Sequence, residues 1–204
     1  MKKLLPLAFL ILLCGCTQGP DNSDQGSSSS SSAMMQESSS SSSGATMSAS
    51  LKTFTVSVRK YSISYPANFS VVANNNITTE DYTVTGTSFV FPDSYAVGNT
   101  LSEAKANVAV QPTCPTFSSA TTTGTITRNG VSYSTADWSG IGAGNLYQGR
   151  TYTTMHDNSC FILTLSMHSC NLGPDCYAGH TNSFNKEPLV NVFESMVNTF
   201  KFLP

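Results

Sequence analysis

Polar and apolar residues alternate along several short segments of the chain. The segments Thr53–Val58, Tyr61–Tyr65 and Tyr82–Phe91 largely follow the two-residue period of a half-buried strand. The second segment ends at Pro66 and the third at Pro92, and proline commonly ends a strand. The pattern therefore predicts a β-rich domain.

Two β-hairpins are predicted further along the chain. Residues 124–138 contain Asn129-Gly130, a dipeptide that favours positive φ at both positions of a two-residue turn. Residues 145–155 and 160–168 should pair across the turn at 156–159. Residues 103–110 mix helical and extended character, and we interpret them as a short turn followed by a strand. Together these segments predict one antiparallel sheet of about six to eight strands.

Helical periodicity is clear in one segment, Lys186 to Thr199. Its apolar residues form a single stripe: Leu189, Val192, Phe193, Met196, Val197 and Phe200. Pro188 suits the first turn of a helix, and Asn185 is a candidate cap. Phe200–Leu203 should return as a last strand. The predicted fold class is α+β, with the antiparallel sheet packed against a C-terminal amphipathic helix.

The N-terminus has the features of an export signal. Met1-Lys2-Lys3 is followed by an apolar run from Leu4 to Leu13, which is too short to span a bilayer as a helix. The junction Leu13-Cys14-Gly15-Cys16 resembles the bacterial lipobox. The resemblance implies that residues 1–15 are a signal peptide and that Cys16 carries acyl chains that anchor the protein in a membrane. The alternative is an ordinary secretory signal with an incidental cysteine.

A serine-rich segment follows Cys16. It contains the runs Ser27–Ser32 and Ser38–Ser43 and has few apolar residues, so it cannot offset the entropy of ordering its chain. We expect a disordered tether that reaches about 30 Å. The predicted organisation is a signal peptide at 1–15, a lipid-anchored tether at 16–50 and a globular domain at 51–204.

The charge of the chain and its predicted lipid anchor indicate which classes of partner to expect. The chain of 204 residues has a formal net charge of −2, and its basic residues are scattered. No basic run could neutralise several phosphates, so we do not expect a nucleic-acid partner. A membrane partner is expected through the lipid anchor, which predicts the bacterial cell envelope as the location. The outer membrane is favoured because Thr17 rather than Asp follows Cys16, by analogy with lipoprotein sorting in enteric bacteria.

The cysteines of the domain indicate an exported protein. Cys14 leaves with the signal, and an even number of cysteines then remains in the domain: Cys114, Cys160, Cys170 and Cys176. A Gly-Pro turn lies between Cys170 and Cys176 and should bring them close. We therefore predict a 170–176 disulfide and a 114–160 disulfide. The second bond would close a loop of about 47 residues and stabilise the fold by about 4 kcal/mol.

A metal site competes with one of these disulfides. His168, Cys170, Cys176 and His180 provide the ligand types of a structural zinc site. The two cysteines are further apart than the usual spacing of about two to four residues. An oxidising compartment also favours the disulfide, so the metal is the weaker alternative and no cofactor is expected.

Motifs for catalysis are weak. Gly140–Asn145 resembles a glycine-rich phosphate loop, but it lacks the following helix and the Lys-Ser/Thr pair, so a flexible hairpin connection is expected. Asp137 beside Trp138 could hold a sugar or a cation, although tryptophan more often belongs to the core. An enzyme requires titratable groups that the fold brings together, and the sequence identifies no such pair. We therefore expect a non-catalytic protein.

Short motifs carry a resemblance to a known fold. Tyr61–Phe69 resembles the opening of the PsbP and Mog1-like superfamily, and Val192–Phe202 is similar to its final helix and strand. The middle of the chain resembles uncharacterised bacterial lipoproteins that carry the same fold. The residues that carry this resemblance are Gly149-Arg150-x-Tyr152, Cys160-Phe-Ile, His168 and Phe184. The resemblance implies a PsbP/Mog1-like α+β domain over residues 51–204 with a binding or assembly role at a membrane. The chain carries no PsbP metal or docking motif, so no functional residue is transferred.

Two classes of function follow. The favoured one is a lipid-anchored envelope protein that binds another envelope protein, a glycan or a small ligand. Its expected contact regions are the exposed loops Asn74–Glu80, Gly140–Gly144 and Gly173–Thr181. The alternative is an envelope enzyme or metal-handling protein centred on the His and Cys residues of segment 168–180.

Overall fold

The structure is a computed structural model, and it describes residues 50–79, 81–97, 100–170 and 184–204. One α-helix, α1 (Glu187–Val197), and ten strands lie in these ranges. The strands are β1 (Leu51–Val56), β2 (Tyr61–Pro66), β3 (Ser70–Thr78), β4 (Thr83–Val90), β5 (Leu101–Gln111), β6 (Ala120–Arg128), β7 (Val131–Gly142), β8 (Asn145–His156), β9 (Ser159–Cys170) and β10 (Lys201–Phe202).

The strands form two antiparallel sheets. The larger has seven strands in the order β3-β4-β5-β9-β8-β7-β6, and the smaller has three in the order β1-β2-β10. The predicted α+β fold with a C-terminal helix is confirmed. The expectation of a single sheet is wrong, because β1, β2 and β10 pair separately. Alternation identifies a strand but does not identify its partner.

Both predicted hairpins are present. Asn129 and Gly130, with φ of 48° and 77°, form the two-residue turn between β6 and β7. Asp157 and Asn158, with φ of 46° and 57°, form the turn between β8 and β9. Positive φ at both central positions is the requirement of a type I′ turn, whose twist matches that of the strands it joins.

Three expectations about loops need correction. The glycine-rich segment is mainly strand, because β7 reaches Gly142 and the turn is confined to Ala143 and Gly144. Residues 103–110 contain no turn and belong to β5, where pairing with β4 and β9 overrides their helical propensity. Residues 74–78 belong to β3, and a bulge with Asn74 at φ 55° accommodates the asparagine-rich sequence. Glu80 lies outside the described residues.

The helix is shorter than predicted and begins as expected. The side chain of Asn185 accepts a hydrogen bond from the N–H of Glu187 at 3.0 Å, and a proline lies in the first turn. The helix ends at Val197, and Thr199 instead hydrogen-bonds to the backbone N–H of Ser64 in β2 at 2.8 Å. The chain then enters β10, which confirms the predicted last strand.

The main core lies between one face of the seven-stranded sheet and a second layer made of α1 and the smaller sheet. The large sheet contributes Phe89, Val108, Phe161, Leu163 and Leu165, and the second layer contributes Tyr61, Ile63, Leu189, Phe193 and Phe200. The ring of Tyr61 lies 5.8 Å from that of Phe161 and 5.6 Å from that of Phe200. Interlocked aromatic rings of this kind bury large apolar areas.

The opposite face of the large sheet is polar. Side chains alternate along a strand, so the residues of β9 between Phe161, Leu163 and Leu165 point away from the core. Cross-strand pairing places further side chains beside them. We call this surface the polar face, and its side chains include Asn107, Trp138, Tyr147, Thr151, Thr164, Ser166 and His168.

The hairpin of β3 and β4 folds across the polar face. β4 pairs with β5 only over Gly86–Val90, so the rest of the hairpin leaves the sheet. Ile77 packs against Ala109 and Ile162, and the hydroxyl of Tyr82 hydrogen-bonds to that of Thr164 at 2.8 Å. The hairpin therefore covers part of the face that α1 leaves open.

A disulfide holds a second covering segment. Cys114, in the connection between β5 and β6, is bonded to Cys160 at the start of β9, as predicted. The bond attaches this connection to the polar face. Asp81 in the β3–β4 hairpin also accepts hydrogen bonds from the backbone and hydroxyl of Ser118, at 3.1 and 2.6 Å, and from Ser119 at 3.1 and 2.8 Å.

Several predictions concern residues that the structure does not describe. The signal peptide, Cys16, the tether, Cys176, His180 and the loop 173–181 lie outside the described residues. Within the described ranges, no helix combines the length and the apolar character needed to cross a bilayer.

Candidate functional site

A cavity of about 450 Å³ lies on the polar face. Its walls come from residues 75–78 of β3 and the next residue, Thr79, and from the first half of β5, the tip of the β7–β8 hairpin and the end of β9. It occupies the end of the face near His168, whereas the disulfide lies near Cys160 at the other end. Its volume is within the range of about 300–1,000 Å³ that is typical of small-molecule sites.

A chain of amides and hydroxyls forms the polar side of the cavity. Asn75 donates to the hydroxyl of Ser88 at 2.8 Å, and Ser88 donates to the side-chain oxygen of Asn107 at 2.6 Å. The amide of Asn107 donates in turn to the hydroxyl of Ser166 at 2.9 Å and to the carbonyl of Thr164 at 3.2 Å. Asn107 is only 3% exposed. A satisfied buried network of this kind holds its members in one orientation.

An aromatic pair forms another wall. Tyr147 on β8 and His168 on β9 are direct cross-strand partners, and their rings stack with centroids 4.6 Å apart and planes 4° apart. Tyr147 remains 41% exposed, so part of its ring is accessible from the cavity. Nε2 of His168 is buried and has no hydrogen-bond partner among the described residues. An unpaired buried nitrogen is costly, which makes this position notable.

Trp138 lines the cavity because β8 has a glycine opposite it. Gly149 is the cross-strand partner of Trp138, and a Cβ at Gly149 would lie 2.1 Å from the indole ring. The indole nitrogen donates to the hydroxyl of Thr151 at 3.3 Å. The glycine therefore lets the ring lie over the neighbouring strand, and the hydrogen bond holds it there.

The charged side chains in the lining compensate one another. Nζ of Lys105 lies 2.7 Å from Oε1 of Glu103, and both side chains are partly exposed. Ile141, at the tip of the β7–β8 hairpin, is 77% exposed and contributes an apolar edge. The lining formed by the described residues thus combines a neutral polar surface with apolar and aromatic walls.

Asp137 does not line this cavity with Trp138, because adjacent residues of a strand point to opposite faces. The carboxylate of Asp137 accepts two hydrogen bonds from Arg150, at 2.6 and 2.9 Å, on the side of the sheet that faces α1. Arg150 also contacts Oε1 of Glu194 on α1 at 3.1 Å, and the hydroxyl of Tyr152 donates to the same oxygen.

These ionic contacts join the helix to the sheet. The hydrogen bonds that Arg150 donates to Asp137 raise the pKa of Arg150, and burial together with Glu194 raises the pKa of Tyr152. Arg150 is therefore held in its charged form and the phenol of Tyr152 in its neutral form. We interpret the cluster as structural.

The metal alternative gains little from the structure. His168 and Cys170 lie two residues apart on β9, and Cys170 is disulfide-bonded, so its sulfur is not a free thiolate. In the part of the chain that the structure describes, no group of three or more His, Cys, Asp or Glu side chains could hold a metal ion. His156 lies elsewhere, stacked on Phe202 at 3.7 Å and 3.6 Å from Asp157.

The sequence analysis missed most of the cavity. Asn107 could have been noticed, because it is a lone amide in the otherwise apolar run from Ala106 to Val110. Tyr147 could also have been noticed, because the predicted hairpin of residues 145–155 and 160–168 places it opposite His168. Of the expected contact segments, residues 75–79 and 140–142 border the cavity, and nearly all of them belong to strands β3 and β7.

No protein-family model and no curated protein matches the chain. Among solved structures, the chain is similar to the solution structure of cyanobacterial PsbP (CyanoP) from Synechocystis sp. PCC 6803. The identity is 12% and the TM-score 0.45, over 78% of this chain and 96% of that chain.

A crystal structure of a protein from Bacteroides thetaiotaomicron VPI-5482 is similar to the same degree. Its identity is 12% and its TM-score 0.45, over 75% of this chain. This chain spans 48% of that one, or about half its length. At this level of similarity neither structure carries a functional argument for this chain.

Proposed function

We propose that the protein is a lipid-anchored, non-catalytic binding module of the bacterial cell envelope, and that it binds its ligand in the cavity on the polar face. The observation that carries the proposal is the cavity itself. Its amides and hydroxyls are ordered before any ligand arrives, which suits recognition by hydrogen bonding. The charged side chains of Glu103 and Lys105 form an ion pair at 2.7 Å, so the described lining carries little net charge.

The envelope location rests on the N-terminus and the cysteines. The lipobox-like junction at Cys16 supports acylation, and a segment of serine-rich chain would then hold the domain away from the lipid surface. The disulfide between Cys114 and Cys160 fits an oxidising compartment. Thr17 supports the outer membrane within this proposal. Membership of the PsbP and Mog1-like superfamily remains part of the same proposal.

The metal-handling alternative is less well supported. It requires His168, Cys170, Cys176 and His180 to act together, and Cys170 is already oxidised. One observation fits this alternative: Nε2 of His168 is buried and has no hydrogen-bond partner among the described residues.

Metabolic labelling with an alkyne fatty acid tests the anchor. We expect label on the wild-type chain and its recovery with the membranes, and we expect both to be lost in Cys16→Ser. Cys14→Ser is the matched control, because it changes a cysteine that the signal peptidase would remove. Label retained in Cys16→Ser, or absent from the wild type, would contradict the proposed anchor.

Thermal unfolding tests the binding role. The Cys16→Ser chain, which lacks lipid, is heated with and without a small-molecule extract of bacterial envelopes. A ligand that binds only the folded state raises Tm. We expect a rise for this chain, and a smaller one when Tyr147→Ala is added. The absence of any rise, or a rise that is the same in both chains, would refute binding in the cavity.

A further inference from the structure

We infer that the cavity on the polar face recognises a neutral saccharide, either a short free one or the end of an envelope glycan. This inference rests on the proposed function and gives the chemical class of its ligand. The charge, the wall chemistry and the size of the cavity favour this class.

The charge of the cavity favours a neutral ligand. Glu103 and Lys105 form an ion pair at 2.7 Å, and a charged ligand would have to break it to obtain a counter-charge from either residue. Desolvating a charge without a partner is costly. The remaining polar groups of the described lining are amides, hydroxyls and the His168 ring, which suit hydroxyl groups as donors and acceptors.

The walls offer the two surfaces that a sugar ring needs. A sugar has hydroxyls around its edge and a patch of C–H groups on its face. The ring of Tyr147 is backed by His168 on one side and is 41% exposed, so C–H groups can stack on its electron-rich surface. Asn75 and Ser166 lie on the polar side of the same cavity and belong to its ordered hydrogen-bond chain.

The size of the cavity limits the length of the bound glycan. A volume of about 450 Å³ is in the lower half of the range for small-molecule sites, which is about 300–1,000 Å³. A long chain would therefore bind by its end, with the rest leaving past the exposed Ile141 at the hairpin tip. A free mono- or disaccharide and a terminal envelope sugar share this chemistry.

The test uses the lipid-free Cys16→Ser chain and a defined panel. The neutral members are glucose, galactose, mannose, N-acetylglucosamine and their disaccharides, and the charged members are glucuronate, glucose 6-phosphate and sialic acid. Thermal shift identifies binders, and calorimetry measures Kd. We expect at least one neutral saccharide to bind. Tyr147→Ala should weaken it at least about tenfold, which is about 1.4 kcal/mol, while Tyr147→Phe keeps the ring and the binding.

A matched pair of variants controls for general surface effects. Ile141→Ser lies at the cavity edge and should weaken binding, whereas Val58→Ser lies on a residue that is 90% exposed and outside the cavity lining, and should leave Kd unchanged. Purified envelope polysaccharide forms a second arm of the test. Tighter binding of the polymer than of every small sugar indicates a glycan end, and the reverse indicates a free saccharide.

Two results overturn the inference. The first is that only the charged sugars bind, or that neither a sugar of the panel nor the envelope polysaccharide binds. The second is that a neutral saccharide binds with a Kd that Tyr147→Ala does not change. If the envelope extract still raises Tm in a Tyr147-dependent manner, the ligand is not a neutral saccharide and the proposed binding function stands. If the extract also has no effect, both fail.

Discussion

The two faces of the seven-stranded sheet are both shielded from solvent but by different chemistry. On the core face, Phe89, Leu163 and Leu165 are 0% exposed beneath α1 and the smaller sheet. On the polar face, Asn107 and Thr164 are 3% and 1% exposed, and the segments that cover them add hydroxyls and a disulfide. Burial alone therefore does not distinguish the faces.

The difference shows what each kind of contact does to the space between layers. Apolar packing is non-directional, so side chains interlock until the layer is filled. Hydrogen bonds are directional, so Asn107 and its partners must stand at set distances and angles. The polar face retains a cavity of about 450 Å³ beside this network. The core face is filled beneath the buried residues of α1 and the smaller sheet, and it opens only beside the first turns of the helix, where Arg150, Met167 and Val190 border a cavity of about 640 Å³.

Removing a core anchor should have the largest effect. Phe193 is 1% exposed and contacts the ring of Tyr152, with centroids 5.8 Å apart. We expect Phe193→Ala to lower the free energy of unfolding by about 3–5 kcal/mol, from lost burial and the void left behind. Asn191→Ala, at an exposed position of the same helix, should change it by less than about 0.5 kcal/mol. Urea unfolding measures both, and equal effects would show that α1 is not a core element.

The second largest loss of stability is expected on removing the disulfide, because this covalent bond, rather than apolar packing, holds a covering segment on the polar face. Cys114→Ala with Cys160→Ala opens a link between residues 46 apart. We expect the free energy of unfolding to fall by about 2–4 kcal/mol, since the unfolded chain regains the entropy of an open loop. Urea unfolding with reducing agent is the control. Because Cys170 is also disulfide-bonded, reductant acts on both chains, and it should destabilise the wild type more than the double variant. A double variant as stable as the oxidised wild type would contradict the role of this bond.

A smaller loss of stability is expected at Gly149, over which the ring of Trp138 lies. Gly149→Ala should lower the free energy of unfolding by about 1–3 kcal/mol, because the new Cβ would meet the indole at 2.1 Å and the carbonyl of Leu165 at 2.4 Å. Gly142→Ala is the matched control on the neighbouring strand, where the nearest atom is 4.0 Å away. Thermal unfolding and tryptophan fluorescence report the change. Similar behaviour of the two variants would show that the indole does not lie over β8.

The smallest effect should be the pH dependence due to Asp81. Hydrogen bonds from Ser118, followed by those from Ser119, lower the pKa of the Asp81 carboxyl, although the group is largely solvated. A lowered pKa in the folded state means that its stabilisation is complete above the unfolded pKa and is lost as pH falls through the folded pKa. Stability should therefore fall on acidification more in the wild type than in Asp81→Asn.

Unfolding measured between pH 7 and pH 2 tests this expectation. Asp93→Asn serves as the control, because Asp93 is exposed in the short turn after β4 and takes no part in the contact with Ser118. If Asp81→Asn keeps the acid dependence of the wild type, the β3–β4 hairpin is not held to the β5–β6 connection through this carboxylate.

Local chemistry accounts for the features that the sequence predicts. Alternation predicts β1, β2 and β4, Asn129-Gly130 predicts a hairpin, and the apolar stripe before Phe200 predicts α1. The pairing of Cys114 with Cys160 follows from the turn between the other two cysteines. Each of these depends on residues close together in the chain or on a small set of possible pairs. The lipobox-like N-terminus is local in the same sense, and it remains a prediction.

Only the tertiary structure decided where these elements meet. β1, β2 and β10 form a separate sheet, and a bulge in β3 accommodates its asparagines. The side chains of Asp137 and Trp138 point to opposite faces of the large sheet. The cavity exists because Asn107 is in register with Thr164, across strands β5 and β9 that are distant in sequence, and because Tyr147 is in register with His168 across the β8–β9 hairpin. A shift of one residue would move every such side chain to the other face. The turn of the hairpin fixes the second register, but no local pattern encodes the first.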